Sequence, residues 1–332
     1  MTSWDGRHVL VTGAGGFIGS HLVEQLVAAG AQVRALTHYN SRSDPGMLTD
    51  VPADVRSAVE IMAGDITDPF LVRRAVSGVD TVFHLAALIA IPYSYAAPAS
   101  YVSTNVTGTL NVLEAVRELE VPRMVHTSTS ETYGTARYTP IDEQHPPQPQ
   151  SPYSASKLGA DFVAESFHRS FGTPVATIRP FNTYGPRQSA RAVIPTIAAQ
   201  LVAGRHKIAL GDLRPVRDLT FVTDTARAFL AVAGSDECVG TVTNVGNGKG
   251  ISIGELARLL AEVAGCDDFE IVEETVRLRP PNSEVFELVA DASAAKARCG
   301  WEPQVSLRDG LSQVVAYVRG NLHRYDVDRY TT

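Results

Sequence analysis

The sequence predicts an α/β protein with a doubly wound parallel sheet, followed by a smaller α+β region. Two observations lead to this prediction. Short apolar runs alternate with amphipathic helical patterns through the first half of the 332 residues, and this alternation is typical of βαβ units. After about Thr173 the turn residues become denser and the pattern becomes mixed. We therefore predict a first domain over residues 1–175 and a second over residues 176–332.

Each element of the first domain has its own pattern. The predicted strands are the apolar runs "HVLVTG", "QVRAL", "VEIMAGD", "TVFHLAA", "RMVHTSTS" and "VATIRP". The predicted helices are "GSHLVEQLVAAG", "GTLNVLEAVRELE" and "SASKLGADFVAESFHRSFG". In each helix, apolar residues recur at three- and four-residue steps, which places them on one face.

The second domain is predicted to mix strands with helices. Its strand patterns are "HKIALGD", "RDLTFVTD" and "TVTNVG", and its clearest helix is "SIGELARLLAEVAG". A segment near residues 216–245 also has a pattern that would return to the first domain. The one Pro-rich loop, "TPIDEQHPPQPQSP", precedes the Tyr153 helix.

Composition excludes several classes of function. The net charge is −7 without any basic run, which argues against nucleic acid as the main partner. Cys238, Cys266 and Cys299 lie far apart, so the sequence indicates neither a zinc site nor a disulfide framework. No apolar run is long enough to span a bilayer, and no cleavable apolar segment is visible. We therefore expect a cytoplasmic protein, in which the sequon at Asn105 has no consequence.

A glycine-rich turn follows the first predicted strand. Gly13, Gly16 and Gly19 have the spacing G-x-x-G-x-x-G between this strand and the first helix. Glycine lets the chain turn tightly and approach a pyrophosphate, whose charge is stabilised by the helix N-terminus. In this strand-turn-helix context, the motif predicts a Rossmann-type dinucleotide-binding domain.

The choice between NAD and NADP stays open. An acidic residue about 20 positions after the glycines normally binds the ribose 2′-hydroxyl of NAD. Thr37 stands at that position, and Arg42 follows in the next loop. Because no carboxylate repels a 2′-phosphate and Arg42 could neutralise one, the sequence permits either cofactor.

Two further motifs carry reactive groups. Tyr153 and Lys157 lie four residues apart in "SPYSASKLGAD", hence on one helix face. A nearby ammonium is expected to lower the pKa of the phenol, so that Tyr153 can take a proton from a sugar hydroxyl. Thr129, Ser130 and Glu131 follow another predicted strand in "TSTSETYG", and strand carboxyl ends meet at one edge of a parallel sheet.

These motifs together resemble the extended short-chain dehydrogenase/reductase family of nucleotide-sugar enzymes over essentially the whole chain. Further matching stretches are "FHLAA", "TNVTGTLNVLEA", "RPFNTYGPR", "RDLTFVTD" and "ADASAAKARCGWEP". The resemblance implies that Thr129, Tyr153 and Lys157 form a catalytic set. The further cofactor-binding residues that it implies are Phe17, Ile18, Asp65, Ile66, Leu85, Ala86 and Ala87.

The resemblance also implies a role for Glu131. Tyr153 and the nicotinamide would oxidise the C4 hydroxyl of a nucleotide-linked sugar to a ketone, which acidifies the C5 proton for removal by Glu131. The C6 hydroxyl then leaves as water and the hydride returns to C6, so that the cofactor is regenerated in place. Since Ser130 replaces the aspartate of other dehydratases, the leaving hydroxyl would be protonated by Glu131 or by a water held by Ser130.

Several alternatives remain open. The tripeptide that ends in Glu131 resembles that of GDP-mannose dehydratases, but UDP-glucuronate decarboxylases share it, and a 4-epimerase has the same fold. The loop "LIAIPYSYAAP" offers no charge for a sugar carboxylate, which favours dehydration. Its likeness to dehydratases of legionaminic-acid-type pathways implies UDP- or GDP-linked N-acetylglucosamine as substrate. Two further alternatives remain. Glu131 could have only a structural role as a helix cap, or the protein could bind NAD(P) without catalysing a reaction.

A sugar diphosphate needs cationic and amide donors, and arginine binds phosphate best. The substrate-binding residues implied by the resemblance are Tyr93, Ser94, Asn182, Arg187, Arg191, Val193, Arg217 and Arg279. A homodimer is also implied, through a four-helix bundle of "SYVSTNVTGTLNVLEAVREL" and "YSASKLGADFVAESFHRS". The nine histidines show no metal-ligand spacing, so no metal is expected.

Overall fold

The structure is a computed structural model that describes residues 3–266, 268–278 and 280–327, so Arg279 lies outside the described residues. The strands are β1 (His8–Thr12), β2 (Gln32–His38), β3 (Val59–Gly64), β4 (Thr81–His84), β5 (Met124–Thr127), β6 (Val175–Pro180), β7 (Asn182–Tyr184), β8 (Lys207–Leu210), β9 (Val216–Phe221), β10 (Val242–Val245), β11 (Gly250–Ser252), β12 (Glu270–Glu273) and β13 (Glu287–Leu288). The helices are α1 (Phe17–Ala28), α2 (Ala53–Ser57), α3 (Pro69–Val76), α4 (Ile91–Ala96), α5 (Pro98–Tyr101), α6 (Gly108–Glu118), α7 (Pro152–Phe171), α8 (Val193–Val202), α9 (Val222–Ala233), α10 (Ile253–Ala264), α11 (Ser293–Cys299) and α12 (Leu307–Gly320). Among the helices of these ranges, none has the length and apolar character needed to cross a membrane.

Seven parallel strands form the main sheet, in the order β3-β2-β1-β4-β5-β6-β10. The chain builds outwards from β1 to one edge and then from β4 to the other, so the sheet is doubly wound with its switch point between these two strands. One apolar core lies on each face of the sheet: α1, α9 and α11 pack into one, and α3, α6 and α7 into the other. The predicted Rossmann-type α/β fold is confirmed.

The turn between β1 and α1 requires glycine at two positions. Gly13 has a φ of +71°, and a Cβ added to it would lie 2.8 Å from the amide nitrogen of Ala86. A Cβ added to Gly19 would lie 2.2 Å from the carbonyl oxygen of Gly13. Glycine therefore lets the chain reverse here and lets α1 pack directly on the end of β1.

A third apolar core lies in the C-terminal part, where α8, α10 and α12 pack around β8 and β9. β9 pairs with β7, β11 and β13, while β8 pairs with β12. The domain boundary expected at residue 175 coincides with the start of β6, which belongs to the main sheet. Within the segment near 216–245, α9 and β10 lie on the main sheet, whereas β9 pairs in the smaller one.

Asp224 joins α9 to the segment before α12. Its side chain is 2% exposed. One carboxylate oxygen accepts hydrogen bonds from the N–H groups of Gln304 and Val305, at 2.8 and 2.9 Å, and the other accepts one from Arg227 at 2.5 Å. Asp224 therefore satisfies donors from two distant parts of the chain.

Asp224→Ala is expected to lower the free energy of unfolding by about 3 kcal/mol, because it leaves these donors without their acceptor. Chemical denaturation followed by circular dichroism measures the loss. The control is Glu262→Ala, which breaks an ion pair with Arg308 whose side chains are 61% and 58% exposed, and it should cost less than about 1 kcal/mol. Equal losses in the two variants would contradict this role of Asp224.

Candidate active site

The carboxyl ends of β1 and β4 are tied together by Thr12. Its hydroxyl oxygen accepts hydrogen bonds from the backbone N–H groups of Leu85 and Ala86, both at 3.1 Å, and lies 2.8 Å from Nδ1 of His84. The chain after β4, which includes Ala87, is thereby held beside the glycine turn. Sequence reasoning did not single out Thr12, because a threonine that ends a buried strand has no motif of its own.

The start of α1 fits a negatively charged ligand. The helix begins at Phe17, followed by Ile18, and its N-cap residue Gly16 makes no side-chain capping bond. The first N–H groups of a helix without such a cap remain available to an anion, and the helix dipole favours negative charge there. An uncapped helix N-terminus next to the Gly13 turn is the arrangement that a dinucleotide pyrophosphate requires.

The predicted adenine side lies at the ends of β2 and β3. Thr37, near the end of β2, is 4% exposed, and Ile66 is packed in the α3/α6 core. Asp65 accepts hydrogen bonds from both the N–H and the O–H of Thr67, each at 2.8 Å. Arg42 is exposed in the loop after β2. The structure brings these residues to neighbouring strand ends, where the backbone N–H of Arg42 donates a hydrogen bond to Oδ1 of Asn40 at 3.1 Å.

Helix α7 carries Tyr153 and Lys157 and has well-defined ends. Ser151 and Ser154 form a capping box at its N-terminus, and Gly172 ends it with a φ of +69°. Such caps satisfy the free backbone groups of the first and last turns. The Tyr153 side chain makes a hydrogen bond with that of Thr129. Its ring also contacts the ring of Tyr101 edge to face, with centroids 6.3 Å apart.

Burial sets the protonation of both groups. It raises the pKa of Tyr153, which the hydrogen bond with Thr129 lowers and the Glu131 carboxylate raises further. Burial lowers the pKa of Lys157 from 10.5 to about 8, and the charge of Asp161 opposes this. The direction for Tyr153 is opposite to the one predicted from Lys157, because burial and the charges of Glu131 and Asp161 all raise this pKa and only the hydrogen bond with Thr129 lowers it. In the protein alone, Tyr153 is therefore protonated at neutral pH.

Glu131 lies in a 3₁₀ turn, Ser130–Thr132, directly after β5. The side chain of Thr129, rather than that of Glu131, caps this turn by accepting a hydrogen bond from the Glu131 N–H at 3.3 Å. Glu131 is half-buried and Ser130 is 3% exposed. Because the Glu131 carboxylate acts on the phenol of Tyr153, the structure brings the two predicted reactive groups into one site.

Two predicted substrate-binding residues come together on the smaller sheet. Asn182 on β7 pairs with Leu219 on β9, two residues after Arg217. Arg217 is 8% exposed and makes an ion pair with Glu284 at 3.1 Å. The side-chain oxygen of Asn182 is buried without a hydrogen-bond partner among the described residues. An amide and a guanidinium on adjacent strands are suited to a diphosphate.

Two other predicted substrate-binding residues have polar contacts within the protein. Arg187, with a φ of +70°, is buried and forms an ion pair with Glu24 and hydrogen bonds with His21, both on α1. A buried guanidinium needs acceptors, and α1 supplies them for Nε and Nη2, whereas the buried Nη1 has no hydrogen-bond partner among the described residues. Ser94 is fully buried and donates its hydroxyl to the Ile91 carbonyl at 2.6 Å, so its polar group is used within α4.

The remaining predicted contacts are compatible with a ligand. Tyr93 is 48% exposed beside Tyr101, with ring centroids 6.2 Å apart. Arg191 is exposed, and although burial raises the pKa of Tyr101, the charge of Arg191 lowers it. Val193 begins α8 and packs against the third core. These residues therefore lie around Tyr101 and α8, next to the Tyr153 end of the site.

Sequence reasoning missed Asn105. It is fully buried in a π-helical segment, Val102–Thr107, between α5 and α6. Its side chain donates to the Leu88 carbonyl and to the Ser156 hydroxyl, both at 2.9 Å, and accepts from the Leu88 N–H at 2.8 Å. Asn105 thus links the chain after β4 to α7. Local insertions of this kind are frequent near functional sites, but a 3.6-residue pattern does not reveal them.

Asp161 was also missed, although it lies four residues after Lys157 on the same helix face. Within the described ranges no three His, Cys, Asp or Glu side chains are grouped as metal ligands.

Comparison with known proteins finds relatives among nucleotide-sugar enzymes. The family model described as GDP-mannose 4,6 dehydratase matches residues 10–314. A dTDP-glucose 4,6-dehydratase of Actinoplanes sp. is 32% identical over 320 residues, which cover 94% of this chain and 98% of that protein.

Two solved structures have the same fold over nearly all of their length. The UDP-glucose 4-epimerase of Thermotoga maritima, determined with UDP-glucose, is 32% identical with a TM-score of 0.85, covering 95% of this chain and 99% of that one. TunA, an NAD-dependent NDP-hexosamine 5,6-dehydratase of tunicamycin biosynthesis, is 29% identical with a TM-score of 0.83, covering 97% and 100%. Given the family match and the sequence identities, this chain belongs to the extended short-chain dehydrogenase/reductase family, among the relatives of the nucleotide-sugar 4,6-dehydratases.

Proposed function

We propose that this protein is a nucleotide-sugar 4,6-dehydratase that uses NAD or NADP. One observation carries the proposal: the Glu131 carboxylate acts on the same phenol, Tyr153, that makes a hydrogen bond with Thr129. Dehydration needs a base beside Tyr153 and Thr129 to remove the C5 proton, whereas oxidation and reduction at C4 alone do not need this base.

The proposed cofactor site is built from the glycine turn and the strand ends. Gly13, Gly16 and Gly19 would admit the pyrophosphate, Thr37 and Asp65 would border the adenosine, and Lys157 would bind the nicotinamide ribose. When bound, the nicotinamide supplies reversible hydride transfer. TunA is named as NAD-dependent, which supports NAD, while the exposed Arg42 leaves NADP open.

The proposed chemistry uses three side chains of the chain itself. Tyr153, which is protonated in the protein alone, would first release that proton when the positively charged oxidised cofactor lies beside it, because a nearby cation favours the phenolate. The phenolate, assisted by Thr129, would then take the proton of the C4 hydroxyl while the hydride from C4 passes to the cofactor and C4 becomes a ketone. Glu131 then removes the acidified C5 proton. Having taken this proton, Glu131 can donate it to the departing C6 hydroxyl, so that no second acid is required.

The proposed substrate is a UDP- or GDP-linked N-acetylhexosamine. Asn182 and Arg217 would bind its diphosphate, with Arg191 and Val193 near the nucleotide and Tyr93 near the sugar. The hexosamine named as the substrate of TunA supports this assignment. The resemblance of the loop "LIAIPYSYAAP", here called the sugar loop, to legionaminic-acid-type dehydratases supports it as well.

Two other reactions have specific support. The similarity to the Thermotoga epimerase favours a 4-epimerase, for which Glu131 would have no role. The charge of Arg191 acts on Tyr101, beside Tyr153, and a cation at that place would suit the carboxylate of a UDP-glucuronate decarboxylase. The sugar loop itself, "LIAIPYSYAAP", carries no charge, which favours dehydration.

A homodimer through α6 and α7 is also proposed. Leu110 on α6, and Phe162 and Phe171 on α7, are 38%, 55% and 56% exposed. Large apolar side chains on two neighbouring helices favour burial against a second copy in a four-helix bundle.

Mass spectrometry with a panel of nucleotide sugars tests the reaction. The panel contains UDP- and GDP-N-acetylglucosamine, GDP-mannose, dTDP-glucose and UDP-glucuronate. The wild type should remove one water from an acetamido-hexose donor. Glu131→Gln should lower kcat by at least about 100-fold, because it lacks the C5 base, while exposed Glu165→Gln serves as the matched control. Loss of carbon dioxide from UDP-glucuronate would instead indicate a decarboxylase, and unchanged masses with isomerised sugar an epimerase.

Tyr153→Phe should block the reaction one step earlier. Without the phenol, oxidation at C4 is expected to slow by about 10²- to 10⁴-fold. Transient absorbance of reduced nicotinamide after substrate addition should therefore persist in Glu131→Gln and disappear in Tyr153→Phe. Reduction of the cofactor at wild-type rate in Tyr153→Phe would refute the assignment of Tyr153.

The dimer is tested by light scattering. Phe162→Glu places a charge in the proposed bundle and should convert the dimer into a monomer. Phe70→Glu is the control, since Phe70 is 82% exposed but lies on α3, and it should leave the mass unchanged. A monomeric wild type, or a dimeric Phe162→Glu, would exclude this interface.

A further inference from the structure

A buried carboxylate lies one helical turn after Lys157 on α7. Asp161 is 6% exposed. Its oxygens accept hydrogen bonds from three groups of the main sheet: Nε2 of His126 at 2.9 Å, Oγ of Ser128 at 2.5 Å and Nη2 of Arg179 at 2.8 Å. Asp161 therefore connects α7 to β5, to the residue that follows it and to β6.

Arg179 balances the charge of Asp161. Its guanidinium is 7% exposed, donates from Nε to Oγ of Ser128 at 3.1 Å and lies 4.6 Å over the ring of Tyr133. Burial alone would raise the pKa of Asp161, but the hydrogen bond from His126 and the charge of Arg179 hold it well below its ordinary value. Asp161 is therefore ionised near neutral pH.

Four titratable groups surround Lys157. His84 on β4 and His126 on β5 both interact with its charge, and their rings stack 5.9 Å apart. Burial lowers the pKa of each imidazole, so both are neutral near pH 7. On α7 itself the neighbours are Tyr153, which is protonated, and Asp161. Asp161 is thus the charged neighbour that favours the ammonium form of Lys157.

We propose that Asp161 is the positioning residue of this site. From one turn beyond Lys157 it keeps the ammonium charged, and by binding Ser128 it holds the chain that carries Thr129 in register with Tyr153. The catalytic meaning of this role rests on the proposed function. The charge of Lys157, in contrast, can be measured without any substrate.

NMR can observe this charge directly, because the chain contains four lysines. Three of them, Lys207, Lys249 and Lys296, are exposed. In protein labelled with ¹³C at the lysine ε-carbon, Lys157 is expected to titrate near pH 8. The Lys157→Arg variant identifies the Lys157 signal by its absence.

Asp161→Asn should move the Lys157 titration down by about one pH unit, because an opposite charge is lost. Since this variant leaves Arg179 unpaired and can destabilise the fold, the deciding protein is Asp161→Asn/Arg179→Gln, which removes both charges and should also titrate below wild type. Arg179→Gln alone keeps the Asp161 carboxylate, so the Lys157 midpoint should not fall in this variant. Asp224→Asn alters a buried carboxylate elsewhere and should leave the Lys157 midpoint unchanged. An unchanged Lys157 midpoint in the double variant would overturn the proposal.

The pH profile of turnover provides the second readout. If Lys157 acts in its charged form, the basic limb of kcat/KM should move to lower pH in the double variant, whereas simple destabilisation lowers the rate at every pH alike. A shifted Lys157 titration without turnover on any sugar would refute the proposed function and leave the role of Asp161 in place. Normal dehydration by the wild type, together with an unshifted Lys157 titration in the double variant, would refute the proposed role of Asp161 but not the proposed function.

Discussion

The buried contact between Asp161 and the main sheet is the constraint on which the geometry of this site depends. Tyr153 and Lys157 stand on α7, whereas Thr129 and Glu131 follow β5, so any chemistry among them needs the helix and the strand fixed against each other. Apolar packing is non-directional, whereas hydrogen bonds to a buried charge have defined geometry and are costly to break. The Asp161 carboxylate therefore fixes the position of α7 relative to β5 more specifically than apolar packing alone would.

The rest of the site follows from where parallel strands end. The carboxyl ends of β1, β4 and β5 lie side by side near the switch point of the sheet, and Thr12 and Asn105 link the chain after β4 to the glycine turn and to α7. The smaller sheet then adds Asn182 and Arg217 from β7 and β9. A rigid sheet edge thus supplies the reactive groups, and the second unit supplies the groups suited to a charged substrate.

Much of the site could be predicted from sequence, because the relevant spacings are local. Gly13 and Gly19 occur where a tight turn leaves no room for a Cβ, and Tyr153 and Lys157 share a face because four residues make about one helical turn. Arg187 and Ser94 show the limit of this reasoning. Their residue types suit a substrate, but their polar groups are used by α1 and by the α4 backbone, and no local pattern encodes such contacts.

The sequence by itself determined the fold class, the glycine turn and the reactive side chains, since periodicity and short spacings express local geometry. Only the tertiary structure decided which of these side chains meet, how deeply they are buried and hence which protons they hold. Desolvation and long-range pairing arise when distant segments pack. That is why the raised pKa of Tyr153, the pairing of Asp161 with Arg179 and the role of Asn105 appear only in the folded chain.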